Sequence, residues 1–120
     1  MKLMNDFFEI LNSFDNTTGF ISTIKLNPNH IVYTGHFPGH PVTPGVIQMQ
    51  IVHELVEQHF NRKLKLKNMP QCKFLKILNP NETTQIDIHI EYEQKEEIVN
   101  IKAFGKNESG IYFKFQASLV

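Results

Sequence analysis

The sequence predicts an α+β fold in which an antiparallel sheet is wrapped around one long central helix. Apolar residues recur at helical spacing between Val46 and Asn61. Segments that alternate apolar and polar residues, rich in β-branched side chains, lie on both sides of that stretch. A loop dense in proline and glycine, Gly35–Gly45, precedes the helix and excludes regular structure there. The one long helix and the one sheet are therefore expected to pack against each other.

The N-terminal part predicts two strands joined by a turn. Asp6–Phe14 is mixed in pattern and is interpreted as a short helix that runs into a strand. Asp15–Gly19 is a turn cluster, and Phe20–Leu26 alternates as a strand does. Ile31–Tyr33 is interpreted as a short extended piece. A hairpin therefore precedes the loop.

The helix is expected to be largely buried, because apolar side chains cover most of its circumference. Thr43 is placed to act as its N-cap, with Pro44 at the first helical position. The polar residues form a narrow stripe, which consists of Gln50, His53, Glu54 and Glu57.

The remainder of the chain predicts four strands, which are Cys72–Leu78, Thr84–Glu91, Ile98–Phe104 and Ile111–Leu119. Short turns between consecutive strands favour an antiparallel meander. The alternation in the second of these strands places Ile86, Ile88 and Ile90 on one face.

Length and composition limit the classes of protein. A chain of 120 residues is expected to be one domain, residues 1–120. Twelve basic and twelve acidic residues cancel, so nucleic acid is not an expected partner. No stretch approaches the roughly 20 apolar residues that span a bilayer, so no membrane association is expected. The single cysteine, Cys72, excludes an intramolecular disulfide and fits a reducing cytoplasm.

The six histidines do not predict a metal site. His36 and His40 are four residues apart, but Pro38 between them prevents the helix that would place both on one face. No dense spacing of metal ligands occurs elsewhere, and neither a metal nor another cofactor is expected. His30, His59 and His89 are interpreted as scattered, and His53 as a possible partner of Glu54.

The most informative stretch is HFPGHPVTPGV, residues 36–46, which leads into the helix. It resembles the HFPGxPxxPGV signature of the 3-hydroxyacyl-acyl-carrier-protein dehydratases. Lys73-Phe74 and Asn79-Pro80 are similar in placement to later strands of that family, so the resemblance covers nearly the whole chain. It implies a hot-dog fold and a dimer with two active sites at the subunit interface.

Dehydration of a 3-hydroxyacyl thioester requires a base for the proton on carbon 2, a group that polarises the carbonyl, and an acid for the departing hydroxyl. His36 is a suitable base because its ordinary pKa is near neutrality. The Gly45 N–H lies at the start of the helix, where unpaired donors and the macrodipole stabilise negative charge. The resemblance implies the same two roles. The residues expected to contact substrate are Tyr33, Phe37, Pro38, Gly39 and Val46, although Tyr33 and Phe37 can equally fill the core.

The sequence departs from the family at the acid. The family has a Glu, sometimes an Asp, fourteen residues after the His, and this chain has Gln50 there. Glu54 follows four residues later, where many members carry Gln. Positions i and i+4 share a helix face, about 6 Å apart along the axis. We therefore expect Gln50 to orient the hydroxyl and Glu54 to supply the proton through water.

The resemblance implies an acyl-carrier-protein-bound substrate and a homodimer or higher even oligomer, or a mixed dimer with a related chain. A carrier-protein docking surface is predicted from basic residues, which are Arg62, Lys63, Lys65, Lys73 and Lys76. A run of charges is also typical of a solvated turn.

Two alternatives to catalytic dehydration remain from the sequence. The chain can bind an acyl group or carrier protein as a subunit that completes a partner dehydratase. It can also be a hot-dog thioesterase, with Glu54 or Glu57 as the base that activates water. The HFPG loop favours dehydration over hydrolysis.

Overall fold

The computed structural model describes residues 2–34 and 41–120. Within them the chain forms six strands, one α-helix and one turn of 3-10 helix. In chain order these are β1 (Phe8–Asp15), β2 (Gly19–Leu26), the 3-10 turn (Ile31–Tyr33), α1 (Gly45–Phe60), β3 (Leu66–Phe74), β4 (Gln85–Lys95), β5 (Ile98–Asn107) and β6 (Gly110–Leu119).

The strands form one sheet in the order β1-β2-β4-β5-β6-β3, and all neighbours are antiparallel. The predicted meander of four consecutive strands is wrong in one respect, because β3 pairs with β6 and not with β4. Pro70 lies within β3 and has no N–H to donate, which suits a strand at the edge of a sheet. β4 instead pairs with β2 and joins the N-terminal hairpin to the rest of the sheet.

The predicted bounds of the strand after the helix are also wrong. Cys72–Leu78 was expected, whereas β3 spans Leu66–Phe74 and residues 75–78 lie beyond it. Most of β3 is exposed, and its pairing with β6 shifts register at two points. An edge strand with such irregularities does not show the alternation by which a half-buried strand is recognised.

Two local predictions near the N-terminus are corrected. Residues 5–7 form a turn and β1 begins at Phe8, so no short helix starts at Asp6. Ile31–Tyr33 forms a turn of 3-10 helix and is not extended. The His30 side chain caps that turn, since its Nδ1 accepts a hydrogen bond from the Val32 N–H at 3.0 Å.

The helix begins at Gly45, one residue after the predicted first helical position Pro44, and it has no side-chain cap. Pro44 occupies the N-cap position and Gly45 is the first helical residue, so the expected capping role of Thr43 is wrong. The helix ends at Asn61, whose φ of 52° is left-handed and whose N–H bonds to the carbonyls of Gln58 and Glu57. This helix is too short and too polar to cross a membrane, and so is every other helical turn in the parts described.

The core lies between α1 and one face of the sheet. The prediction that Ile86, Ile88 and Ile90 share a buried face is confirmed, because each is 1% exposed. The buried residues of α1 belong to the same core and are Ile47, Gln48, Ile51, Val52, Glu54, Leu55 and Val56. Val46, in contrast, is exposed, so the first turn of the helix is only partly covered.

Candidate active site

The candidate active site lies at the first turn of α1. Gly45 is its first residue, and none of the described residues accepts a hydrogen bond from the Gly45 N–H. The first amide groups of a helix have no acceptor within it, and the macrodipole adds partial positive charge there. The adjacent Val46 is 65% exposed. The turn therefore presents a donor suited to an oxygen that gains negative charge.

Gly45 is closely packed against an aromatic ring. A Cβ built on Gly45 would lie 2.5 Å from Cζ of Phe74, at the end of β3. The Phe74 ring is half exposed and makes an edge contact with Phe115, at 5.6 Å between ring centroids. The ring thus rests directly on the helix start, and a side chain at position 45 would have to displace it.

The structure brings Gln50 and Glu54 together on one face of α1, as their spacing predicts. Gln50 Nε2 donates a hydrogen bond to Glu54 Oε2 at 2.9 Å. The orientation of the Gln50 amide is thereby fixed by the residue one turn later.

Glu54 also holds the N-terminal segment, a contact that sequence reasoning missed. Its Oε2 accepts from the Leu3 N–H at 2.7 Å, and its Oε1 accepts from the Met4 N–H at 2.8 Å. The side chain is 5% exposed. With the Gln50 amide, three donors thus bind the two oxygens of this carboxylate. An acidic residue within an apolar helix stripe was the available signal, but its backbone partners are 50 and 51 residues away.

Glu57 is likewise bound to backbone. Its Oε2 accepts from the Leu64 N–H at 2.8 Å and lies 3.4 Å from His53 Nε2. His53 therefore pairs with Glu57 and with the Leu64 carbonyl at 2.8 Å, and its suggested pairing with Glu54 is wrong. Both carboxylates considered for activating water have backbone partners, which weakens the case for hydrolysis.

Two cavities adjoin the first turns of α1. One, of about 270 Å³, lies between the helix and the sheet. Gln50 is on its wall, and the other lining residues are mainly apolar, among them Val46, Met49, Met69, Phe115 and Ala117. The other, of about 320 Å³, is lined by Gly45, Gln48 and the segment that follows β3. An apolar space beside Gln50 and a second space beside Gly45 are compatible with an acyl chain and its thioester.

Tyr33 is buried at 7% exposure, and its hydroxyl bonds to Thr43 Oγ1 at 2.7 Å. Burial raises the pKa of Tyr33 to about 12, so the phenol stays neutral in ordinary buffers. Its expected contact with substrate remains a prediction. The predicted residues His36, Phe37, Pro38 and Gly39 lie outside the described residues.

The basic residues proposed for docking do not form one group. Lys65 and Lys73 lie at opposite ends of β3, about 25 Å apart at the usual rise of a strand. Arg62 and Lys63 adjoin Lys65 at the C-terminal end of the helix, whereas Lys73 lies beside Phe74 at the helix start. Lys76 Nζ donates to the Ser109 carbonyl at 3.0 Å and lies over the Tyr112 ring.

The remaining described histidines make structural contacts. His59 stacks on Phe20 with 4.2 Å between ring centroids, and His89 stacks on Phe104 at 4.5 Å. His30 caps the 3-10 turn, as described above. Among residues 2–34 and 41–120, no three His, Cys, Asp or Glu side chains are grouped as metal ligands would be.

The sheet and its buried helix define a hot-dog fold, and comparison with known proteins identifies the family. Residues 12–111 match the family model described as ApeI-like, ApeI dehydratase. Because the match covers well over half of the chain, this protein belongs to the ApeI-like dehydratase family. The resemblance inferred from residues 36–46 is confirmed.

Curated relatives are similar at low identity. The 3-hydroxyacyl-acyl-carrier-protein dehydratase FabZ of Latilactobacillus sakei is 27% identical over 86 residues, which cover 66% of this chain and 61% of that protein. The FabZ of Wolbachia pipientis wMel is 29% identical over 70 residues, 52% of this chain and 49% of that protein. The FabZ of Lactobacillus helveticus is 24% identical over 98 residues, which cover 76% of this chain and 66% of that protein. The chain thus spans about half to two thirds of the length of these relatives.

Solved structures confirm the fold. A chain of the dehydratase heterocomplex ApeI:P from Xenorhabdus doucetiae superposes with a TM-score of 0.73 at 17% identity, covering 92% of this chain and 95% of that chain. An uncharacterised protein from Erwinia carotovora subsp. atroseptica superposes with the same TM-score of 0.73 at 15% identity. The superposition covers 92% of this chain and 94% of that chain. The predicted hot-dog fold, an antiparallel sheet around one central helix, is confirmed.

Proposed function

We propose that this protein dehydrates a 3-hydroxyacyl thioester, carried on acyl carrier protein, to the trans-2-enoyl thioester. The observation that carries the proposal is the first turn of α1, where the Gly45 N–H has no acceptor among the described residues and adjoins a cavity. The HFPG sequence that precedes this turn and the membership of a dehydratase family support the same reaction.

In the proposed mechanism His36 removes the proton from carbon 2 of the substrate. The negative charge that develops on the thioester oxygen is stabilised by the Gly45 N–H and the helix dipole. The bond between carbon 3 and its hydroxyl oxygen then breaks. The hydroxyl receives the proton and leaves as water, so the substrate loses one hydrogen and one hydroxyl in total.

The source of that last proton is where this chain differs from its family. Gln50 carries an amide and cannot donate a proton near neutral pH, but it can bind the hydroxyl and hold it in place. Glu54 accepts three hydrogen bonds and fixes the Gln50 amide. The transfer from Glu54 through water that the sequence predicts stays a prediction. Because three donors already bind the Glu54 oxygens, we propose that the imidazolium formed on His36 returns the proton, since a histidine serves as both base and acid near neutrality.

The cavity and the relatives support the proposed substrate class. An apolar space of about 270 Å³ beside Gln50 suits a short or medium acyl chain, and the FabZ relatives are named for acyl-carrier-protein substrates. Of the basic residues, Lys73 and Lys76 lie at the same end of the sheet as Gly45. Lys76 Nζ already donates to the Ser109 carbonyl, so we propose Lys73 as the carrier-protein contact.

The second candidate is a subunit that completes the site of a related chain. The Gln50 amide at the acid position favours it, and the similar Xenorhabdus doucetiae structure is described as a heterocomplex. A mixed dimer would place a carboxylate from the partner against His36 and Gly45 of this chain. A homodimer remains the proposal for the chain alone.

The direct test is to incubate the purified chain with a 3-hydroxyacyl carrier-protein thioester and to measure the loss of water by mass spectrometry. His36→Ala and Gln50→Glu are assayed in parallel. His40→Ala is the matched control, because it removes a histidine from the same loop that no proposed step uses.

The two candidates predict different results. A catalytic chain dehydrates the substrate as wild type and as His40→Ala, and loses at least about a hundredfold of its rate as His36→Ala. A completing subunit is inert as wild type and gains turnover as Gln50→Glu. If wild type and Gln50→Glu are both inert, dehydration by this chain alone is contradicted.

A further inference from the structure

A buried chain of side-chain hydrogen bonds connects the residues on either side of the HFPG segment with the helix. The Tyr33 hydroxyl bonds to Thr43 Oγ1 at 2.7 Å, and Gln48 Nε2 donates to the Thr43 carbonyl at 3.0 Å. The three side chains are 7%, 1% and 3% exposed, respectively. Tyr33 lies before residues 35–40 and Thr43 lies after them, so the contact joins both ends of that segment.

Every polar group of Thr43 has a partner. Its N–H donates to the Leu78 carbonyl at 2.9 Å, in addition to the bonds made by its carbonyl and hydroxyl. Thr43 stands two residues before Gly45. The direction of the Gly45 N–H therefore depends on a residue that is fixed from three sides.

The Gln48 amide is bound through its nitrogen. Its Oε1 is buried and has no hydrogen-bond partner among residues 2–34 and 41–120. An unpaired buried acceptor costs about 1–3 kcal/mol relative to a paired one. An aliphatic side chain here would remove the unpaired oxygen but would leave the buried Thr43 carbonyl without its donor, so the Gln48 amide serves to hold Thr43.

We infer that Tyr33, Thr43 and Gln48 are positioning residues, which hold both ends of the His36 segment at a set position relative to the first turn of α1. This inference rests on the proposed function, because it assigns His36 and Gly45 as the groups that are positioned. None of the three residues needs to touch substrate for it. Their effect is on the alignment of base and oxyanion donor.

The protein contains a second buried Tyr–Thr pair that serves as an internal control. The Tyr112 hydroxyl bonds to Thr83 Oγ1 at 2.7 Å, and these residues are 1% and 7% exposed. The pair matches Tyr33–Thr43 in chemistry, length and burial, but Thr83 lies in the turn before β4 and not beside α1. Removing the hydroxyl at Thr83 therefore imposes a similar loss of stability without touching the helix start.

The experiment compares Thr43→Val with Thr83→Val and with the rescue variant Thr43→Ser, which restores the hydroxyl. Turnover and KM are measured on the carrier-protein substrate, and urea unfolding is measured for each variant. We expect Thr43→Val to lower kcat between about tenfold and a hundredfold with KM nearly unchanged, since misplacement of about 1 Å has effects of that size. Thr43→Ser recovers most of kcat, and Thr83→Val retains it.

A measurement that does not depend on activity tests the positioning role even if the proposed reaction is wrong. The amide resonance of Gly45 is followed in a ¹H–¹⁵N correlation spectrum of each variant. Thr43→Val shifts it and Thr43→Ser restores it, even if wild type turns out not to dehydrate the substrate. If Thr43→Val leaves the Gly45 resonance in place, or lowers kcat no more than Thr83→Val does, the positioning role is overturned.

Discussion

At the scale of single residues, the exchange of Gln50 and Glu54 is the most informative feature of this chain. Relative to the family pattern that the resemblance implies, the carboxylate of Glu54 lies one helical turn later than the expected acid. The structure shows what it does there, since it accepts hydrogen bonds from Leu3, Met4 and Gln50. Two of those partners are backbone groups far away in the sequence, and no residue pattern identifies such a contact in advance.

Glu54→Gln is expected to destabilise the protein by about 1–3 kcal/mol, because its amide group turns a donor toward the Leu3 or Met4 N–H. The free energy of unfolding in urea measures the effect. Glu93→Gln on the exposed face of β4 is the control and is expected to change stability by less than about 0.5 kcal/mol. Equal losses in the two variants would show that the carboxylate does not hold the N-terminal segment.

At the scale of elements, the alternation of apolar and polar residues was sufficient to predict the strands that are buried on one face. It was not sufficient to predict the edge strand β3. β2, β4, β5 and β6 alternate in burial and were all predicted as strands. The bounds of β2 and β6 were right to within one residue, whereas β4 and β5 extend four and three residues beyond their predicted ends. β3 carries Pro70 and two register shifts, and its pairing with β6 depends on tertiary contacts that a local pattern does not encode. The candidate site shows the same difference. The place of Gly45 at the helix start was predicted from the sequence, whereas the packing of the Phe74 ring against it was not.

The junction of α1 with the end of β3 makes a testable prediction. Alanine in place of glycine usually stabilises a helix by about 0.5–1 kcal/mol, but Gly45→Ala is expected to destabilise this one. Its Cβ displaces the Phe74 ring and costs the ring its contact with Phe115.

A double-mutant cycle of Gly45→Ala with Phe74→Leu, followed by urea unfolding, measures the coupling. We expect an interaction energy between about 0.5 and 3 kcal/mol, which is the usual range for residues in contact. Val46→Ala paired with Phe74→Leu is the neighbouring control for stability. Additive losses in the Gly45 cycle would contradict the packing described here.

At the scale of the whole molecule, the resemblance found in eleven residues, 36–46, correctly predicted a fold of 120. The hot-dog class requires a buried helix and a sheet with one apolar face, and both patterns are visible in the sequence. The order of strands in the sheet is a global property, and no local signal distinguished the observed order from a simple meander.

Global stability is expected to fall at alkaline pH partly through Tyr33. Burial raises the pKa of Tyr33 from the ordinary value of 10.0 to about 12 in the folded protein. Between those values the unfolded chain releases the phenolic proton and the folded chain retains it, so the free energy of unfolding decreases as pH rises. Below the lower value this residue contributes no pH dependence.

Urea unfolding of wild type and Tyr33→Phe at a series of alkaline pH values measures this contribution. The difference in stability between the two proteins is expected to be constant up to about the ordinary tyrosine pKa and then to diminish. A difference that stays constant throughout would show that the Tyr33 phenol ionises equally in both states.

The contact between Gly45 and Phe74 has a consequence for how this protein can evolve. If position 45 gains a side chain while the ring at position 74 is still present, that side chain clashes with the ring. If the ring is lost first, this clash does not arise. The two substitutions are therefore accessible in one order and hindered in the other. Among descendants of this chain, the residues at positions 45 and 74 should change together, and the loss of the ring should come first.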